Sequence, residues 1–137
     1  MITILVVDDS KSICEFCKAE LESEGYRVLV ARDGLEALEV LSRGRPDLVI
    51  LDVHMPRMDG LEAFERIRAM NRDTVVVFYT AHHKDHLNDV QRRHAVACVE
   101  KSPDLTELKR AIVSALETTR DGTAERVRTR QAQSSLS

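Results

Sequence analysis

The feature that most constrains this chain is an alternation of two hydrophobic periods. Short apolar runs at residues 2–7, 27–31, 48–51, 75–79 and 96–99 are separated by longer stretches whose apolar residues recur every three to four positions. Runs this apolar suit strands covered on both faces, the condition of a parallel sheet wrapped by helices. Between them Ile13, Cys17 and Leu21 share one helix face, as do Leu35, Leu38 and Leu41, and Leu61, Phe64 and Ile67. Leu105, Leu108, Ile112 and Leu116 form the clearest stripe, while the segment 83–93 is the weakest, with Leu87 and Val90 its large apolar residues. A strand–helix unit repeated five times implies a doubly wound, five-stranded parallel α/β sheet.

The helix starts carry a signal of their own. Asp33, Asp59 and Asp104 are each followed three residues later by a glutamate (Glu36, Glu62, Glu107), the spacing of a capping box. Gly25 and Gly44 fall just past the first two helices, where a left-handed C-terminal cap suits glycine. Aromatics make up only 4% of the chain, so the core must be built from Val, Ile, Leu and Ala. A length of 137 residues fits one domain, placed at 1–119. Residues 120–137 carry four arginines against one aspartate and one glutamate, a net +2 that leaves −5 for the rest of a chain at −3. This stretch reads as a polar tail or linker.

Several function classes are set aside by the same residues. A pI near 6.0 and a negative net charge lack the basic stripe of a nucleic-acid-binding domain, so no nucleic acid contact is expected. Three cysteines are too few, and of the wrong parity, for a disulfide framework, which favours a reducing cytoplasm. Cys14 and Cys17 have redox-pair spacing but lie inside a helix, with Cys17 in the core stripe and Cys14 facing out. No apolar run approaches the roughly 20 residues of a spanning helix, so no membrane contact is expected.

In an open α/β sheet, ligands bind beyond the carboxyl ends of the strands. Here the first strand ends in Asp8-Asp9, the third in Asp52, the fourth in Thr80 and the fifth in Glu100-Lys101. If the first and third strands are neighbours, three carboxylates converge, and two such charges ~4 Å apart repel by roughly 4 kcal/mol at an effective dielectric near 20. A cluster of this kind stands only if it binds a cation or raises its pKa values. An all-oxygen site open to water suits Mg²⁺. Each residue alone has a plainer reading, Asp8-Asp9 as a turn and helix cap above all. The matched acid, acid, hydroxyl and cation set on four strand ends is what singles the site out.

These residues resemble the receiver domain of two-component response regulators, over roughly residues 2–118. The resemblance is carried by Asp8-Asp9, by Leu48-Val-Ile-Leu-Asp52-Val-His-Met-Pro56-Arg-Met-Asp-Gly60, by Thr80-Ala81 and by Lys101. It implies a flavodoxin-like fold with strand order 2-1-3-4-5. It further implies that Asp52 is the phosphoacceptor, taking a phosphoryl group from a sensor histidine kinase or phosphotransfer protein with Mg²⁺ as cofactor. Asp8, Asp9, Asp52 and the backbone carbonyl of His54 would hold the metal. Thr80, Ala81 and Lys101 would contact the phosphoryl group and pass the change to the 83–93 segment. His54 and His82 would flank the incoming water and set the lifetime of the acyl phosphate. A downstream protein target would read the switched state, and dimerisation through the fourth helix, fifth strand and fifth helix is a further implication.

The chain departs from that family's pattern at three places. Ser102 follows Lys101 where the family has proline, usually after a cis bond, and a cis bond before a non-proline residue costs about 2.5–4 kcal/mol. The loop is therefore expected to differ. Cys98 stands where the family places an aromatic ring that turns inward on activation, so the switch is expected to run through Thr80. His94 replaces a helix-ending glycine. The cluster His82, His83 and His86 is read as tuning the acidic pocket rather than holding zinc. The enzymatic rival, an aspartate-nucleophile phosphatase of the haloacid-dehalogenase type, needs a second aspartate two residues after the nucleophile, where this chain has His54. A degenerate receiver acting only as a scaffold would not need the full set of Asp8, Asp9, Asp52, Thr80 and Lys101. A signalling domain rather than a turnover enzyme is expected.

Overall fold

The computed structural model describes residues 1–71, 73–81 and 97–117. Over these the chain runs β1 (Thr3–Val7), α1 (Lys11–Ser23), β2 (Arg27–Ala31), α2 (Gly34–Arg43), β3 (Leu48–Leu51), α3 (Gly60–Met70), β4 (Val75–Thr80), β5 (Ala97–Glu100) and α4 (Thr106–Glu117). The helix expected over 83–93 lies outside the described residues, as do His82, His83, His86 and His94 and the tail 120–137. Among the described residues no helix is long and apolar enough to cross a membrane.

The strands form one parallel sheet in the order β2-β1-β3-β4-β5. Because successive residues of a strand face opposite sides, the apolar runs divide between two cores. Ile4, Val6, Leu48, Ile50, Val77 and Val99 pack with α1 and α4, through Cys17, Leu21, Leu108, Ile112 and Leu116. Leu5, Val7, Val49, Leu51, Val76 and Phe78 pack with α2 and α3, through Ala37, Ala63, Phe64 and Ile67. Burying each such large side chain contributes roughly 1.5–3 kcal/mol, which is why strands apolar on both faces are stable only in this layered setting. The chain steps from β1 to β2 on one side, then returns past β1 to β3 on the other. The reversal opens a crevice at the carboxyl ends of β1 and β3.

Helix ends follow the sequence in part. Asp33 Oδ1 accepts the Glu36 N–H at 2.8 Å and Asp59 Oδ1 accepts the Glu62 N–H at 2.9 Å, as the box spacing requires. Asp104 behaves differently: α4 starts at Thr106, and Asp104 Oδ1 accepts from the Thr106 N–H at 2.9 Å and the Thr106 hydroxyl at 2.6 Å. The first helix is capped by Ser10, whose hydroxyl accepts the Ile13 N–H at 3.3 Å. Gly25 has the expected positive φ of 96°, but Gly44 is extended at φ −165° and needs no glycine. In α2 the inward face runs through Gly34, Ala37 and Leu41, so Leu35 turns to solvent. In α1 it runs through Cys14, Cys17 and Leu21, so Cys14 is buried rather than surface-facing.

One glycine decides the path of the loop between β3 and α3. A Cβ at Gly60 would run into the Asp52 carbonyl oxygen and lie 2.6 Å from Val53 Cα, and the Gly60 N–H donates to the Val53 carbonyl at 2.7 Å. Around Gly44 nothing lies within 4 Å of such a Cβ. We predict that Gly60→Ala lowers unfolding free energy by about 3 kcal/mol or more, the upper range of overpacking. Gly44→Ala should be neutral or stabilising by about 0.4–1 kcal/mol, through the unfolded chain. Urea midpoints of the two variants check the contrast, and similar losses in both would contradict it.

Candidate functional site

The two carboxylates at the heart of the site are delivered by the sheet. Val7 at the end of β1 pairs with Ala31 on one side and Leu51 on the other. The ladder then continues one step, with the Asp8 N–H donating to the Ala31 carbonyl at 3.1 Å and the Asp52 N–H donating to the Val7 carbonyl at 3.0 Å. Asp8 and Asp52 are therefore fixed side by side by backbone bonds. Both are almost fully buried, while the next residue, Asp9, is exposed. One oxygen from each of Asp8, Asp9 and Asp52 comes within 4.8 Å of the others.

Four other groups steady this cluster. Asp8 Oδ1 accepts the Ser10 N–H at 2.9 Å, and its backbone carbonyl accepts from the Cys14 thiol at 3.2 Å. Arg32, just past β2, donates through Nε at 3.3 Å and Nη2 at 2.9 Å to the Asp9 carbonyl, pinning the turn that carries Asp9. The His54 N–H donates to Asp52 Oδ1 at 3.3 Å. The loop holding His54 is itself tied down, since Arg57, at a positive φ of 67°, forms an ion pair with Asp33 at the start of α2. Asp33 thus uses one oxygen as a helix cap and the other on Arg57. The Glu36 amide and the Arg57 guanidinium hold its carboxyl below the usual carboxylate range.

Lys101 supplies the cation. Its N–H donates to the Thr80 carbonyl at 2.9 Å, the last step of the β4–β5 ladder. Its ammonium lies 2.7 Å from Asp8 Oδ2 and 3.3 Å from Asp52 Oδ2. Burial pulls the Lys101 pKa down, but the Asp8 hydrogen bond and the Asp52 charge outweigh it, and the group sits above its ordinary 10.5. The Asp52 pKa is raised as well: burial and the Asp8 charge push it up, and Lys101 and the His54 amide only partly offset them. Thr80 is fully buried at the end of β4 and Ala81 after it is exposed.

The structure brings Asp8, Asp9, Asp52, His54 and Lys101 to one place, with Thr80 on the strand beside Lys101; His82 lies outside the described residues. The Lys101–Ser102 bond is trans. Cys98 is half-buried against the core shared with α2 and α3, and burial lifts its thiol to about 11. Cys14 and Cys17 are pushed up to about 11 and about 12 by burial and the Asp8 charge, so neither is a thiolate at neutral pH. That weighs against redox chemistry for the pair. Arg32 and Arg57 were not legible as site residues, because each acts on a group more than twenty residues away that only the folded path brings near.

A row of carboxylates, a half-buried lysine and a buried threonine at the switch point of a 2-1-3-4-5 sheet define the response regulator receiver domain. The sequence matches that family over residues 4–113, and the chain belongs to it. Response regulator MprA of Mycobacterium sp. (strain KMS) is 44% identical over 80 residues, covering 58% of this chain and 35% of MprA, so the match takes in only about a third of that relative. Response regulator protein TrrA from Thermotoga maritima, solved in complex with Mg²⁺–BeF, aligns at TM-score 0.77 and 39% identity, covering 85% of this chain and 100% of TrrA. TrrA solved in complex with the histidine kinase ThkA aligns at TM-score 0.76 and 40% identity, covering 85% of this chain and 99% of TrrA.

The raised Asp52 pKa has a consequence for stability. Folding lifts it above its ordinary 3.8, so the folded chain keeps that proton to higher pH than the unfolded chain does. Its contribution is therefore full below pH 3.8 and falls away as pH rises through the folded pKa. In metal-free buffer we expect Asp52→Asn to have a higher urea midpoint than the parent at neutral pH, with the gap closing as pH falls toward 3.8. A gap that does not change with pH would contradict this assignment.

Proposed function

We propose that this chain is a phosphoacceptor module of a two-component phosphorelay, and that Asp52 takes the phosphoryl group. The observation that carries this is the meeting of Asp8, Asp9 and Asp52 within 4.8 Å, with the Lys101 ammonium 3.3 Å from Asp52. A carboxylate oxygen of Asp52 attacks phosphorus, the P–N bond of a phosphohistidine breaks with its electron pair going to the imidazole, and an aspartyl phosphate results. Such transfer depends mainly on positioning and on stabilising charge on the equatorial oxygens. Lys101 is held where its ammonium reaches those oxygens, at a group that then carries about −1.5 to −2 charge. Thr80, buried on the neighbouring strand end, supplies a hydroxyl to the same group and is the lever on the loop beginning at Ala81.

Three carboxylates without nitrogen or sulfur ligands fit a hard divalent cation, and Mg²⁺ is the ion we assign to Asp8, Asp9, Asp52 and the His54 carbonyl. When bound it supplies further charge neutralisation at the transferring group. A histidine kinase or phosphotransfer protein is the donor, in keeping with the complex of TrrA with ThkA. Position 54, where a phosphatase of the aspartate-nucleophile type needs its second carboxylate, holds an exposed histidine. By the family resemblance His54 and His82 would flank the incoming water and tune the lifetime of the acyl phosphate. The receiver unit is taken as residues 1–119, with 120–137 as a tail, working in the cytoplasm on a downstream protein.

Incubation with a small acyl phosphate and Mg²⁺ should add one phosphoryl mass to the parent and none to Asp52→Asn. Lys101→Ala should slow the gain by about 10²–10³-fold, the effect of removing a charge-stabilising donor. Thr80→Ala should still accept the group. A mass gain that persists in Asp52→Asn, or without any divalent cation, would overturn the proposal.

A further inference from the structure

Tyr79 is the residue before Thr80 on β4, and its ring points to the opposite side, into the core between the sheet, α1 and α4. It is 3% exposed. Its hydroxyl nevertheless reaches the edge of that core and meets Ser102, which is exposed. Tyr79 Oη donates to the Ser102 carbonyl at 3.3 Å, and the Ser102 N–H donates to Tyr79 Oη at 3.4 Å. One phenol thus engages both backbone groups of the residue that follows Lys101.

The position of that clasp matters because of what lies on either side of it. The sheet ladder ends where the Lys101 N–H meets the Thr80 carbonyl at 2.9 Å, and beyond it the chain leaves the sheet. Ser102 is not a residue that fixes its own backbone angles, and Asp104 N–H to Ser102 Oγ at 3.2 Å is a bond within the loop rather than to the sheet. Lys101 has four rotatable side-chain bonds, yet its ammonium must rest 2.7 Å from Asp8 Oδ2 and 3.3 Å from Asp52 Oδ2. Its backbone is bracketed by two neighbours on the same strand, Thr80 before and Tyr79 after.

We infer that Tyr79 is a positioning residue for Lys101: its hydroxyl fixes the loop after β5 so that the ammonium stays aimed at the phosphoryl group on Asp52. The inference rests on the reading of Asp52 as phosphoacceptor. The plainer role for a buried tyrosine is to satisfy its own hydroxyl while its ring fills the core. The two roles differ in what they do to the reaction, since misplacing a reacting group by about 1 Å slows transfer by up to about 10²-fold.

Tyr79→Phe keeps the ring and removes only the hydroxyl. In the unphosphorylated protein, hydrogen exchange at the Ser102 amide should quicken while that at the Lys101 amide changes less. With a small acyl phosphate at saturating Mg²⁺, the maximal rate of Asp52 phosphorylation should fall by about ten- to a hundredfold. Mg²⁺ affinity and the acyl phosphate concentration giving half-maximal rate should stay near the parent's, a split that general loosening of the fold would not produce. In a Lys101→Ala background the same substitution should add almost nothing, because the hydroxyl acts through the ammonium. A parental maximal rate in Tyr79→Phe, or an equal slowing with and without Lys101, overturns the inference. A parent that takes no phosphoryl group overturns the underlying reading instead, and the two failures are told apart because only the first leaves the parent phosphorylated.

Discussion

The pairing of the Lys101 ammonium with Asp8 and Asp52 is the interaction on which the site depends. Two almost fully buried carboxylates sit at adjacent strand ends because backbone hydrogen bonds to Val7 and Ala31 leave them no choice. Like charges at that separation would repel by several kcal/mol in a medium of intermediate polarity. The lysine offsets much of this, but not all, since Asp52 still has a raised pKa. The folded chain therefore carries a local destabilisation that a bound cation is suited to relieve. Apolar packing on both faces of the sheet, from Leu48, Val49, Ile50 and Leu51 beside Asp52 to Ile4, Leu5, Val6 and Val7 beside Asp8, holds the arrangement rigid.

Around the pair, the same economy of placement recurs. Arg32 reaches back to the Asp9 carbonyl, and Arg57 reaches across to Asp33, so the loops after β1, β2 and β3 are tied to one another rather than left to solvent. Gly34 and Gly60 permit this closeness. A Cβ at Gly34 would lie 2.9 Å from Met58 Sδ, and one at Gly60 would collide with the Asp52 backbone. Both glycines matter for close approach, neither for a left-handed backbone. The site is thus built by loops pressed against the strand ends, and its geometry is inherited from the sheet.

Much of this was legible in the sequence, for a physical reason. Strand ends are fixed by the apolar runs, so the residues that close them, Asp8, Asp52, Thr80 and the Glu100-Lys101 pair, could be read directly. What lies across the fold could not. The Tyr79–Ser102, Arg32–Asp9 and Arg57–Asp33 contacts join residues whose nearness exists only once the chain has turned. Helix phase was the other weak point. In α2, Leu35, Leu38 and Leu41 look like a stripe, yet the small residues Gly34 and Ala37 face inward because the helix sits close to Met58. Asp104 kept the spacing of a capping box, but α4 starts at Thr106 and takes the carboxylate there.

The most direct test of the account is chemical trapping of the acyl phosphate. Borohydride reduces an aspartyl phosphate to homoserine, marking the residue that carried the group. After treatment of the phosphorylated parent with borohydride, peptide mapping should find homoserine at position 52 and unaltered aspartate at positions 8 and 9. Homoserine at Asp8 or Asp9, or its absence from a protein that has gained phosphoryl mass, would contradict the central claim that the buried cluster exists to place the group on Asp52.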